Sequence, residues 1–149
     1  MHNCKPVGVP LVGHFILLKA QCPVSNSELS KMEGIPYANA IGTIMYSMIS
    51  TRPDLAYTIS LLNRYMSNLG KPHWDALKYM LRYINRSTDI GLCYGKKSET
   101  LDLVGYVDSD FVGDRDSRKS TTAYFFTLGG NCISWKSQLQ PLVALCILL

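Results

Sequence analysis

Asp108, Asp110, Asp114 and Asp116 form an acidic cluster in which metal chemistry would be possible. Asp108 directly follows the apolar run Leu103 to Val107, so it is expected at a strand end, where a carboxylate is held rigidly. A divalent-metal nuclease needs several such oxygens, because two ions must clamp the attacking and leaving oxygens. The composition also fits a plain turn. Asp114 and Asp116 are interleaved with Arg115, Arg118 and Lys119, as in a salt-laced loop. His2, His14 and His73 are scattered, and neither a Ser/His/Asp spacing nor a phosphate-cradling glycine loop occurs. Cys4, Cys22, Cys93, Cys132 and Cys146 are odd in number and contain no C-x-x-C pair, so neither a zinc site nor a dense disulfide framework is expected. They read as buried thiols.

The N-terminus carries a second kind of signal. An apolar run from Val7 to Leu18 follows Lys5, and the small residues Ala20 and Cys22 then stand two apart, as signal peptidase prefers at its cut. Residues 1–22 therefore read as a signal peptide. Pro10 and His14 interrupt the run and Lys19 lies beside the cut, so a segment buried in the domain is the alternative. No apolar run approaches the ~20 residues that span a bilayer, and no integral membrane segment is expected.

The 149 residues are 47% apolar and 17% charged, with a net charge of +4. This is at most one small domain, able to bury a core and not disordered. The charge alone does not require a nucleic-acid partner. Ser25 is a plausible cap for a short helix around Glu28 to Glu33, stopped by Gly34 and Pro36. From Pro36 to Ile49 the residues Ala40, Ile41, Ile44, Met45, Met48 and Ile49 recur at helical spacing. Thr51-Arg52-Pro53 breaks that helix, and Leu55, Ile59, Leu62 and Met66 mark a second, running to Gly70. Pro72 opens a third, with Trp74, Leu77, Met80, Leu81 and Ile84 on one stripe. The period then changes. Residues 89–95, 101–107, 121–128 and 131–136 read as about four strands, with Gly129-Gly130 as a tight hairpin turn between the last two. The predicted class is α+β, a three-helix segment followed by an antiparallel meander. The apolar tail Leu142 to Leu149 ends without a cap.

Several motifs in order carry a family resemblance. Val104-Gly105-Tyr106-Val107-Asp108-Ser109-Asp110, then Arg118-Lys119-Ser120-Thr121-Thr122-Ala123-Tyr124 and Ile133-Ser134-Trp135-Lys136, resemble the start of the ribonuclease H domain of copia-type retrotransposon polyproteins. Tyr37 to Gly42, Thr51 to Ala56 and His73-Trp74 resemble the segment that joins that family's reverse transcriptase to its ribonuclease H. The resemblance implies a connection-like segment over 23–88 and a truncated ribonuclease H-like segment over 89–149. It also implies that Asp108 matches the first of four acidic metal ligands, as a vestigial catalytic residue. No glutamate follows Glu99 to supply the second, so no nuclease or polymerase activity, no metal site and no cofactor are expected.

The chain also resembles secreted effectors of the RxLR class from downy-mildew oomycetes. That resemblance implies a non-enzymatic protein that is secreted, enters plant cells, meets a host plant protein and suppresses defence or cell death. A complete Arg-x-Leu-Arg is absent; the degenerate form Tyr79-Met80-Leu81-Arg82 lies inside the third predicted helix, where Leu81 falls on the core stripe. The alternatives are an intracellular, inactive retrotransposon relic and a remnant that binds nucleic acid, the latter resting only on Asp108, mild positive charge and basic turns. An open sheet edge implies poor solubility.

Overall fold

The computed structural model describes residues 4–95 and 99–143. The fold is α+β: α1 (Asn26–Met32), α2 (Tyr37–Ser50), α3 (Ala56–Leu62) and α4 (Lys71–Arg86) precede β1 (Leu103–Ser109), β2 (Thr121–Leu128) and β3 (Asn131–Leu139). Ser25 caps α1 as its type predicts. Its hydroxyl accepts from the Glu28 amide at 3.3 Å, and the Glu28 carboxylate accepts from the amides of Val24 and Ser25, which holds that carboxyl below its ordinary range. The second expected helix is real but broken. Single 3-10 turns at Pro53–Leu55 and Asn63–Tyr65 flank α3, so Met66 falls off the apolar stripe and is exposed. Ile49, at the end of α2, is exposed as well.

The core belongs to the helical half. Leu17, Tyr37, Ile41, Ile44, Leu55, Ile59, Leu62, Tyr65, Ala76, Leu77 and Met80 are the buried cluster, and no strand residue is among them. Burial also reaches a charge. Arg52, between α2 and α3, donates from Nε and Nη2 to both oxygens of Asp54 at 3.0 and 2.8 Å, and from Nη1 and Nη2 to the carbonyl and hydroxyl of Ser87 at 2.9 and 2.7 Å. Tyr83 donates its hydroxyl to Asp54 at 2.8 Å and lies under the guanidinium. This fork ties the break after α2 to the C-terminal end of α4. Burial alone would raise the Asp54 carboxyl, but the hydrogen bonds from Arg52 and Tyr83 hold it below its usual range.

The sheet has the order β1-β2-β3 and is antiparallel throughout. Gly129 and Gly130 form the predicted two-residue turn, with φ of 53° and 79° that side chains other than glycine's adopt only at a cost. Three strands form among the described residues where about four were expected, because residues 89–95 pair with no ladder. The Asn131 side chain takes a strand's place: its amide oxygen accepts from the Gly95 N–H at 3.0 Å and its nitrogen donates to the Gly95 carbonyl at 2.9 Å. Every residue of β1 is exposed, including Leu103, Tyr106 and Val107. The sheet is moored to the helices by polar contacts and one aromatic anchor. Trp135 Nε1 donates to the Met48 carbonyl at 3.0 Å, and Arg64 pairs with Asp114 at 3.0 Å. Cys4 and Cys93 are exposed and Cys22 and Cys132 half-buried, so the expected burial of the thiols fails for all four; Cys146 and most of the apolar tail lie outside the described residues.

Two outcomes are expected. Arg52→Ala leaves Asp54 and the Ser87 hydroxyl without their cation and lowers unfolding free energy by about 3 kcal/mol in urea titration, with Arg52→Lys recovering only part because an ammonium lacks the planar fork. Val107→Lys, on an edge strand with its side chain exposed, reduces self-association in size-exclusion chromatography while changing stability by less than about 0.5 kcal/mol.

Candidate functional site

The four aspartates are drawn into different structural tasks. Asp108 ends up on β1 opposite Ala123, exposed, with Oδ1 accepting from the next amide, Ser109, at 2.9 Å. Asp110 accepts from the Thr121 amide, closing the loop between β1 and β2 onto the first residue of β2. Its carboxylate lies against Gly113, where any Cβ would stand 2.0 Å from Oδ2. Asp114 is buried. It accepts from the amide and hydroxyl of Ser117 and pairs with Arg64, 50 residues away, and not with the neighbouring basic residues its sequence context suggested. Burial opposes its charge, but the Ser117 and Arg64 bonds keep the carboxyl below its ordinary range. Asp116 accepts from the Lys19 amide at 2.8 Å and from the Tyr65 hydroxyl at 3.3 Å.

Three of the four carboxylates therefore stabilise backbone turns or join the sheet to the helices. Among the described residues no three His, Cys, Asp or Glu side chains converge as a metal shell would require. Asp108 instead borders a cleft of about 530 Å³ between the sheet and the start of α3, lined by Pro53, Tyr57, Tyr106, Phe125 and Trp135. Tyr106 and Phe125 stack there at 4.5 Å. The other carboxylate on this cleft, Asp54, is held by Arg52 and Tyr83. The cleft is mainly apolar, with the Asp108 carboxylate and Lys136 on its lining.

The N-terminal candidates lie in a segment folded against α4. Leu17 is buried in the core, with Leu11 and Phe15 packed beside it. Ala20 belongs to the 3-10 turn Lys19–Gln21, and Cys22 follows it with its thiol donating to the Asn68 carbonyl at 3.0 Å. Burial pushes that thiol up. The Leu17 carbonyl accepts from the Tyr65 hydroxyl at 2.9 Å. His73 is fully buried, stacks on Tyr65 at 3.8 Å, accepts the Gly70 N–H at Nδ1 (2.9 Å) and therefore donates from Nε2 to the Leu18 carbonyl (3.2 Å).

Tyr79, Leu81 and Arg82 sit on α4 as the helical spacing predicts. Leu81 packs against the core, while Tyr79 meets the Phe15 ring edge-on and Arg82 donates to the Lys5 carbonyl at 2.7 Å. The residues that resemble a translocation motif thus hold the N-terminal segment down. Sequence reasoning missed the Tyr65–His73 pair and the Arg52 fork. The first had a local signal, since His73 stands three residues after the helix-capping Gly70, the spacing at which a side chain can accept the cap's N–H. The second pairs Arg52 with Asp54 two residues on but also reaches Ser87, 35 positions away, and that long-range half had none.

No helix of the described residues is long and apolar enough to cross a membrane. No family model matches the sequence, and no solved structure matches it. The retrovirus-related Pol polyprotein of transposon TNT 1-94 from Nicotiana tabacum is 46% identical over 145 residues, covering 97% of this chain and 11% of the polyprotein. Secreted RxLR effector protein 161 of Plasmopara viticola is 46% identical over 114 residues, 76% of this chain and 80% of that protein. An uncharacterized mitochondrial protein of Arabidopsis thaliana is 32% identical over 144 residues, 97% of this chain and 56% of that protein. The chain thus spans about a tenth of the tobacco polyprotein. Matched along nearly its whole length by one retrotransposon polyprotein, and by a short effector-named protein over most of both lengths, the chain belongs to the family of copia-type retrotransposon Pol sequences.

Proposed function

We propose that the chain is a catalytically inactive member of the copia-type Pol lineage, a connection-like helical mount followed by a ribonuclease H-like sheet. The observation that carries this reading is the commitment of Asp110, Asp114 and Asp116 to the Thr121 amide, to Arg64 with Ser117, and to Lys19 with Tyr65. A two-metal site needs several carboxylates free to turn toward the ions, and of the four aspartates Asp108 is tied only to the adjacent Ser109 amide. Purified protein with magnesium is expected to leave an RNA–DNA hybrid intact, at the same background as Asp108→Asn. Cleavage that disappears in Asp108→Asn would overturn the assignment.

A second reading is favoured by the length match to the Plasmopara viticola effector, which this chain covers over 80% of its extent. In it the same scaffold is a secreted, non-enzymatic RxLR-class effector that enters plant cells and suppresses host defence through a host plant protein. It needs residues 1–22 to act as an export signal and the rest to fold without them. The packing of Leu17 in the core favours the first reading, because cleavage near Ala20 or Cys22 would remove Leu17 from the core, leave His73 without its Leu18 acceptor and leave Tyr65 with Asp116 alone. A reporter fused behind residues 1–22 is expected to stay inside an oomycete or yeast host. Efficient export, together with a cooperatively melting 23–149 chain, would establish the effector reading instead.

A further inference from the structure

We propose that residues 15–22 form a strap whose docking on α4 is released by acid, with protonation of the His73 imidazole as the trigger. The geometry fixes the neutral ring. The Gly70 amide points its hydrogen at Nδ1 from 2.9 Å, so that nitrogen must keep its lone pair, and Nε2 carries the proton donated to the Leu18 carbonyl. A second proton has only Nδ1 to go to, where it would meet the Gly70 N–H head-on. The contact has little slack. A Cβ on Gly70 would lie 2.0 Å from the Gln21 carbonyl oxygen, so the strap and the start of α4 already touch backbone to backbone, and the Tyr65 ring closes one face of the imidazole at 3.8 Å.

The surrounding charges set where the switch operates. Burial lowers the affinity of His73 for a proton, while the Leu18 carbonyl and the Asp116 carboxylate raise it. Asp116 faces the ring from the β1–β2 loop; the strap brings Lys19 and the Cys22 thiol, and Tyr65 stands over the ring with the Arg64–Asp114 pair near its hydroxyl. On the exposed side of α4, Lys71 is paired with Asp75. Because the folded-state affinity is depressed, the contribution of neutral His73 is complete above its ordinary value of about 6.5 and is lost as pH falls below that toward the lower folded-state value. Release breaks the Leu18 bond directly and loosens the Leu17 and Lys19 bonds that Tyr65 and Asp116 hold.

Amide hydrogen exchange of the full chain, corrected for intrinsic rates, tests this. As pH falls from about 7.5 through the ordinary histidine value of about 6.5, the protection of the Lys19 and Gln21 amides is expected to be lost progressively, while the β2 amide of Ala123 keeps its own. His73→Gln, whose side-chain carbonyl can accept from Gly70 without titrating, is expected to abolish the pH dependence. Asp116→Asn, which still accepts hydrogen bonds but lacks the charge, should move the opening to lower pH. Constant strap protection in the wild type across this range would overturn the proposal, as would an opening midpoint that Asp116→Asn leaves unmoved. A fall that persists undiminished in a folded His73→Gln protein would overturn it too.

Discussion

The stacked rings of Tyr65 and His73 are the point on which the three parts of this chain converge. Each ring is buried by the core and must find a partner for its polar tip, since a buried, unpaired donor costs about 1–3 kcal/mol. Both tips find the N-terminal segment: the Tyr65 hydroxyl ends on the Leu17 carbonyl and His73 Nε2 on the Leu18 carbonyl. Tyr65 also lies within reach of Asp116, which takes the Lys19 amide, so the same pair draws in the loop that follows β1. The segment before α1, the helices and the sheet loop are thus fixed relative to one another by side chains whose own burial demands those bonds.

The consequence for the sheet is an unusual division of labour. Apolar burial stabilises the helices, whose core contains no strand residue. The sheet is held by its ladder, by the Trp135 anchor, and by Arg64–Asp114 and Lys19–Asp116 contacts. Such contacts are directional and give register without supplying the driving force that buried area does. Leu103, Val107, Phe125 and Ile133 consequently remain exposed. These side chains are apolar surface left uncovered on the sheet.

The parts of the fold legible in the sequence were those governed by local rules. Ser25 with Glu28, the α2 and α4 stripes, and Gly129-Gly130 each depend on residues within a turn or two of one another, and each forms where its spacing places it. The misses have a common physical origin. Residues 89–95 alternate like a strand, yet a strand exists only if a neighbour offers a ladder, and the Asn131 amide from 36 residues away satisfies Gly95 instead. Likewise Asp114 stands among basic residues but pairs with Arg64, because burial selects a partner that can be desolvated with it. Of the candidate site, the position of Asp108 on β1 was legible; the diversion of its three neighbours into structural bonds was not.

That diversion bears on how the N-terminal run should be understood. A signal peptide and a segment packed on a helix are both rich in apolar residues, so composition cannot separate them. What distinguishes them is reciprocity. A cleavable leader leaves no polar group of the mature fold waiting for it, whereas here Tyr65, His73, Arg82 and Asp116 all spend hydrogen-bonding capacity on the backbone of residues 5–19. Pro10 and His14, which interrupt the run as a leader, fit a segment that bends across a helix, and His14 packs its ring on Phe15, which in turn meets Tyr79. Leu17, near the end of the run, is itself buried in the core.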